Sequence, residues 1–72
     1  MELDKVPRPL GKIALAAGKS FPVSVCCSRQ GYYLGTMSDE GPFSRESVEY
    51  WNSRTDAERA LARGAWTQRR EP

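Results

Sequence analysis

No histidine occurs among the 72 residues, so the commonest general base and metal ligand is missing. Cys26 and Cys27 are adjacent. Neighbours on an extended chain point to opposite faces, so they are badly placed to pair with each other, and no third cysteine exists to bridge either one. Without histidine they form no Cys–His nucleophile pair and fall short of the roughly four ligands of a zinc site. They read as reduced thiols, one of them buried as a small hydrophobe; a vicinal redox switch is the functional alternative. The acid pairs Asp39/Glu40 and Glu46/Glu49 would have to be brought together by folding to make a carboxylate dyad, and they read instead as solvated loop and strand faces. No lysine or histidine is placed by sequence to activate a serine. "GKS" at residues 18–20 lacks the glycine spacing of a phosphate loop. A chain this short also leaves little room for a pocket of ~300 Å³ or more. The expectation is no catalytic residue, no metal and no cofactor: the chain is not an enzyme.

Binding is then the function to look for. The stretch "RQGYYLGTMSDEGPFSRESVEYW", Arg29 to Trp51, gathers all three tyrosines and one of the two tryptophans in a polar setting. On alternating strands, Tyr33 and Trp51 fall on the face opposite the core, together with Ser24, Cys26, Met37 and Arg45. Tyr, Trp, Met and Arg are enriched at protein interfaces, which makes Tyr33, Arg45 and Trp51 the candidate partner-binding residues. Aromatic rings with arginines on an open sheet also suit single-stranded nucleic acid. The net charge of +2 is nearly balanced and gives little steering by itself. The C-terminal third is locally basic, with Arg54, Arg59, Arg63, Arg69 and Arg70 against Asp56 and Glu58. Those five arginines are the candidates for the alternative, a nucleic-acid-binding module; otherwise they are a solvated helix face and tail.

The elements that must position these residues can be read in turn. Residues 1–10 carry prolines at 7 and 9 and read as a flexible arm. In "GKIALAAG", Ile13, Leu15 and Ala17 alternate with Lys12, Ala14 and Ala16, which predicts a first strand. "FPVSVCCS" is the clearest strand, with Phe21, Val23, Val25 and Cys27 inward and Pro22 at its start or on an open edge. "SRQG" is a turn. "YYLGTM" is a third strand with Leu34 inside; Gly35 in its middle predicts a bulge or a ring packed across it. After the loop "SDEGP", "FSRESVEYW" predicts a fourth strand, with Val48 and Tyr50 facing the core alongside Tyr32. "NSRTDAERALARG" is the best helix: Thr55 as N-cap with Glu58 completing a capping box, Gly64 ending it, and Ala57, Ala60 and Leu61 as its apolar stripe. Trp66 reads as a core or lid residue, and 69–72 as a frayed tail.

Together these predict one α+β domain over residues 11–68. It is an antiparallel meander of about four strands with one C-terminal helix packed on one face. A chain of this length has a small core. No apolar run approaches 18 residues, and the N-terminus has acids and prolines where a signal peptide has an apolar segment, so the expected location is cytoplasmic, away from membranes. An open sheet edge would also let the domain pair with a copy of itself.

At "YYLGT", "GPFSRESVEYW", "AERALARG" and "WTQR" the chain resembles small uncharacterised proteins encoded on phages, plasmids and integrative elements of proteobacteria. The resemblance spans about Tyr32 to Arg69 and implies a bacterial accessory protein. A second similarity is to three-stranded-sheet-plus-helix DNA-binding domains of the plant AP2 and integrase-arm type, where a "YLGT"-like strand precedes an alanine-rich helix. Here Ser38 to Trp51 intervene, and Arg29 and Arg45 are the bases near the sheet.

Overall fold

A computed structural model describes residues 9–70. In chain order they form helix α1 (Lys12–Ala16), strands β1 (Ser24–Ser28), β2 (Gly31–Ser38) and β3 (Gly41–Arg45), and helix α2 (Arg54–Arg63). The class is α+β, and the three strands make one antiparallel sheet in the order β1-β2-β3.

Four strands were expected and three form. The first expected strand is α1. Alanine and leucine are the best helix formers in that segment and outweigh a short alternation. Ile13, Ala16 and Ala17, at i, i+3 and i+4, line one hollow together, while Ala14 is buried. The fourth expected strand, 43–51, is β3 interrupted. Pairing with β2 runs from Ser38↔Gly41 to Gly35↔Arg45. It then breaks: the Glu46 and Ser47 amides both donate to the Leu34 carbonyl, and the Ser47 hydroxyl accepts from the Leu34 amide at 3.0 Å. Pairing resumes for one residue at Trp51, which exchanges two backbone bonds with Tyr32. Residues 48–50 loop away between these points, so Val48, expected in the core, is half exposed.

One sheet face carries the apolar core. Val23, Leu34 and Ala57 are fully buried together, with Val25, Tyr32, Trp51, Leu61 and Trp66 packed around them. The inward parity of β1 and β2 therefore holds for Val23, Val25, Tyr32 and Leu34. It fails for Phe21, which packs on the exposed Phe43 instead of the core, for Cys27, which is exposed near the end of an edge strand, and for Trp51, which joins the core from the far side of the strand break. The mid-strand glycine has both features expected of it. A register shift lies one residue on, between Thr36 and Met37. The Tyr33 ring packs over Gly35, where a Cβ would lie 2.9 Å from a ring carbon.

Both ends of the described residues are tied to segments that flank the sheet. The Pro9 carbonyl accepts from Val23, and Leu10 bridges Pro22, so the end of the expected arm is paired; residues 1–8 lie outside the described residues. At the other end, Arg69 was expected to fray. Its amide instead donates to the Glu46 carbonyl at 2.6 Å, and Val48 donates to Thr67 at 2.9 Å. The backbone left unpaired at the strand break is what recruits this segment.

Helix α2 ends where expected, at Gly64 in the left-handed conformation (φ 67°), and buries Ala57 and Ala60. Its start is different. Ser53, extended at φ −135°, accepts from the Asp56 amide at 3.1 Å, so the Ser53 hydroxyl caps the helix and Thr55 lies inside it. Replacing Ser53 with Ala should lower stability by about 1 kcal/mol, whereas Thr55→Ala should change it by less than about 0.5 kcal/mol. Urea unfolding of the two variants checks this, and a larger loss at Thr55 would return the cap to that residue.

Candidate interaction surface

Glu46 is fully buried, against the expectation of a solvated face. Its carboxylate accepts from four directions: the Ile13 amide at 3.0 Å, the Ala14 amide at 3.1 Å, the Ser44 hydroxyl at 2.6 Å and Gln68 Nε2 at 2.7 Å. The first two are amides of the opening turn of α1, whose own N-cap, Gly11, has no side chain to offer. Gly11 is what lets the carboxylate in: a Cβ there would lie 2.5 Å from a Glu46 oxygen and 2.6 Å from Thr36 Cγ2. Thr36 Oγ1 and Ser44 Oγ are 2.6 Å apart. With Ser44 donating to Glu46, Thr36 donates to Ser44. Burial pushes the Glu46 pKa up, but the donors from Ile13, Ser44, Gln68 and Ala14 outweigh it and hold it below the ordinary glutamate value. Glu49 forms no dyad with it; burial likewise opposes, and the Thr67 amide and hydroxyl lower its pKa.

The residues expected on an open sheet face are not open. Tyr33 is only 7% exposed. Its ring meets Tyr50 edge-on at 6.0 Å between centroids, and the Arg45 guanidinium lies 4.7 Å from the Tyr50 ring centre while donating to its hydroxyl. Arg45 Nε also donates to the Ser47 carbonyl at 3.0 Å. Tyr33 and Arg45 are thus brought together through Tyr50, a residue expected on the core side, and they complete one another. Trp51 is on the opposite face. The loop at 48–50 is what carries Tyr50 over. Cys26, cross-strand from Tyr33, is the buried thiol of the pair; burial raises the pKa of both, and the ring and thiol stay neutral at pH 7. Cys27 is exposed, and both cysteines are free.

The five arginines divide between separate places. Arg54 pairs with Glu58 at 3.7 Å, and its guanidinium lies 5.7 Å from the Tyr32 ring centre. Arg54 and Arg63 line a hollow of about 640 Å³ between α2 and β1. Arg69 and Arg70 line another, of about 460 Å³, beside α1. Arg59 is exposed and lines neither. Hollows of this size correct the expectation of little pocket room; they are clefts between elements at the surface.

Sequence reasoning missed the surface around Phe43. The register shift pairs Thr36 with Ser44 and Met37 with Pro42, so Phe43 is the extra residue. A bulge re-aims its side chain. The ring, 39% exposed, packs edge-on against Phe21 at 5.3 Å. On one side it borders a hollow with Ile13, Ala16 and Ala17; on the other, a hollow with Lys19, Phe21 and Met37, and Met37 is 46% exposed. Glycine before proline, after the turn at Asp39–Glu40, was the available signal of an irregular strand.

No helix among the described residues is long and apolar enough to cross a membrane, and those residues hold no group of three or more metal-ligating side chains. No family model, curated protein or solved structure matches the chain.

The lowered pKa values of Glu46 and Glu49 fix a sign. A carboxyl held below its unfolded value of ~4.3 contributes stability above that pH and loses it as pH falls through the folded-state value. Urea midpoints should therefore be flat from pH 7 to 5 and fall below about pH 4. In Glu46→Gln, stability at pH 7 should drop by about 2 kcal/mol, because an amide NH2 then faces other donors, and the acid-side fall should be shallower. An unchanged acid-side fall in that variant would show that Glu46 is not its source.

Proposed function

We propose that the chain is a small non-catalytic protein-interaction module, of the accessory kind that its resemblance to mobile-element proteins implies. The observation that carries this reading is the continuous apolar strip formed by Ile13, Ala16, Phe21, Met37 and Phe43. Single exposed apolar residues are ordinary on a protein surface, but a contiguous strip with hollows on either side of a ring is the form that contact surfaces take. The non-catalytic part rests on Glu46, whose four donors come from α1, β3 and the C-terminal segment and leave it a structural group. Nucleic-acid readout across the sheet, the alternative, is disfavoured by the cover of Tyr50 on Tyr33 and by the engagement of Arg45 with Tyr50.

The strip can be tested without knowing the partner. A phage-displayed library of short peptides is panned on the wild-type domain, and selected peptides are titrated against wild type and Phe43→Ser. Phe43 is partly exposed, so the variant should keep its fold, which circular dichroism verifies. The expected outcome is a loss of about tenfold or more in affinity, the scale of an interface anchor. Selected peptides that bind Phe43→Ser equally well would remove the strip from the reading. Oligonucleotide binding that weakens steeply with salt and ignores Phe43→Ser would favour the alternative.

A further inference from the structure

The charge around the strip is uneven. The hollow beside α1 shares Ile13 and Ala16 with the Phe43 hollow, and its remaining lining residues include Lys12, Arg69 and Arg70. Lys12 and Arg70 are exposed. The Arg69 guanidinium donates to the Arg45 carbonyl at 3.3 Å, which occupies one of its five N–H donors. Among the described residues the lining of this hollow has three cations and no acid, and the Glu46 carboxylate, which meets Ile13 and Gln68 of that lining, is buried and already accepts from Ile13, Ala14, Ser44 and Gln68. At the other end, beyond Phe43, the hollow with Phe21 and Met37 is bordered by Asp39 and Glu40 beside Lys19. The strip is therefore basic at the α1 end, apolar in the middle and acidic at the hairpin turn.

We infer that the partner of this surface is a short protein segment carrying apolar anchor residues next to a run of acidic ones, with its carboxylates over Lys12, Arg69 and Arg70 and its anchors in the hollows flanking Phe43. This rests on the reading of the strip as an interaction surface and adds the chemistry of what binds there. Carboxylates match the planar fork of arginine, which binds them in pairs of hydrogen bonds. The hollow of Ile13, Ala16 and Ala17, which Phe43, Ser44 and Arg45 complete, has an apolar floor that suits an aliphatic or aromatic anchor. A nucleic-acid strand fits less well. It carries charge along its whole length and would lay phosphates against Asp39 and Glu40, whereas a peptide can confine its charge to one end.

The test uses four fluorescein-labelled probes: a ten-residue peptide with a Leu-Trp anchor pair and a C-terminal Glu run, the same peptide with Lys in place of Glu, the Glu peptide with Ser in place of the anchors, and a fifteen-nucleotide oligo-dT. Each is titrated against wild type, Phe43→Ser and the double variant Lys12→Glu/Arg70→Glu, whose sites are exposed and should not disturb the fold. The anchored Glu peptide should bind wild type best and weaken with salt. It should lose about tenfold in affinity in the double variant, and the Lys peptide should gain there. If the Lys peptide binds wild type as well as the Glu peptide, or the double variant leaves the Glu peptide unchanged while Phe43→Ser abolishes it, the acidic assignment is overturned and the interaction reading stands. If only oligo-dT binds, and Phe43→Ser leaves it intact, both fall. If no probe binds, the acidic assignment falls, and the library selection alone decides the broader reading.

Discussion

The contact on which the rest of this structure depends is the buried carboxylate of Glu46. Taking a carboxylate out of water costs several kcal/mol, and a site without partners would protonate it instead. Here four donors meet it, and a hydrogen bond to a charged group is worth about 1.5–3 kcal/mol, so the gathered donors can offset the burial. None of them belongs to an element that would hold its place alone. A five-residue helix is far too short to be stable in water, and its first turn is capped by a side chain from the end of a strand more than thirty residues on. The C-terminal segment reaches the same group through Gln68. One side chain thus joins α1, the end of β3 and the tail, and the absence of a side chain at Gly11 is the geometric condition for it.

The break in β3 follows at the same place. With its side chain turned inward, Glu46 leaves the line of the strand, and the next residue substitutes a hydroxyl for the backbone partner of Leu34. The chain is then free to loop out through 48–50 and return at Trp51. That loop has two effects at once. It delivers Tyr50 onto Tyr33 and Arg45 on one face of the sheet, and it sends Trp51 into the core on the other. A three-stranded sheet in so small a chain is thereby covered on both sides with little apolar material. It also explains how so many aromatic rings are accommodated: they are shared between two faces instead of crowding one core.

How much of this was legible beforehand follows from the same physics. The runs of β1 and β2, the inward placing of Val23 and Leu34 and the glycine stop of α2 rest on local rules, and local rules sufficed. Parity on one strand says which residues share a face, but it does not say that the second face is covered, so Tyr33 has the pattern of an exposed residue while another segment of the chain seals it. The pattern of "FSRESVEYW" is that of a strand because its two ends are strand-like; the break between them is dictated by a carboxylate whose partners lie far off in sequence. Glu46 itself carries no local mark, since a glutamate beside serines on a polar stretch has the pattern of a solvated face. Phe43 was missed for a related reason. The bulge that turns it outward is a property of the pairing with β2, not of its own neighbours.

The same carboxylate bears on the proposed recognition surface. The apolar strip is assembled from α1 on one side and the β2–β3 hairpin on the other, and these are joined through Glu46, with Ser44 and Thr36 continuing the chain of hydroxyls into β2. The side chains that face outward from this region, Ile13 and Ala16, stand on the helix whose amides the carboxylate holds. A surface built on so short a helix would ordinarily fray and bind poorly, because the partner would have to supply the cost of ordering it. Anchoring the helix from beneath removes that cost before binding. A buried charge, which often adds little net stability, has a clear role here as the part that keeps the exposed apolar strip in shape.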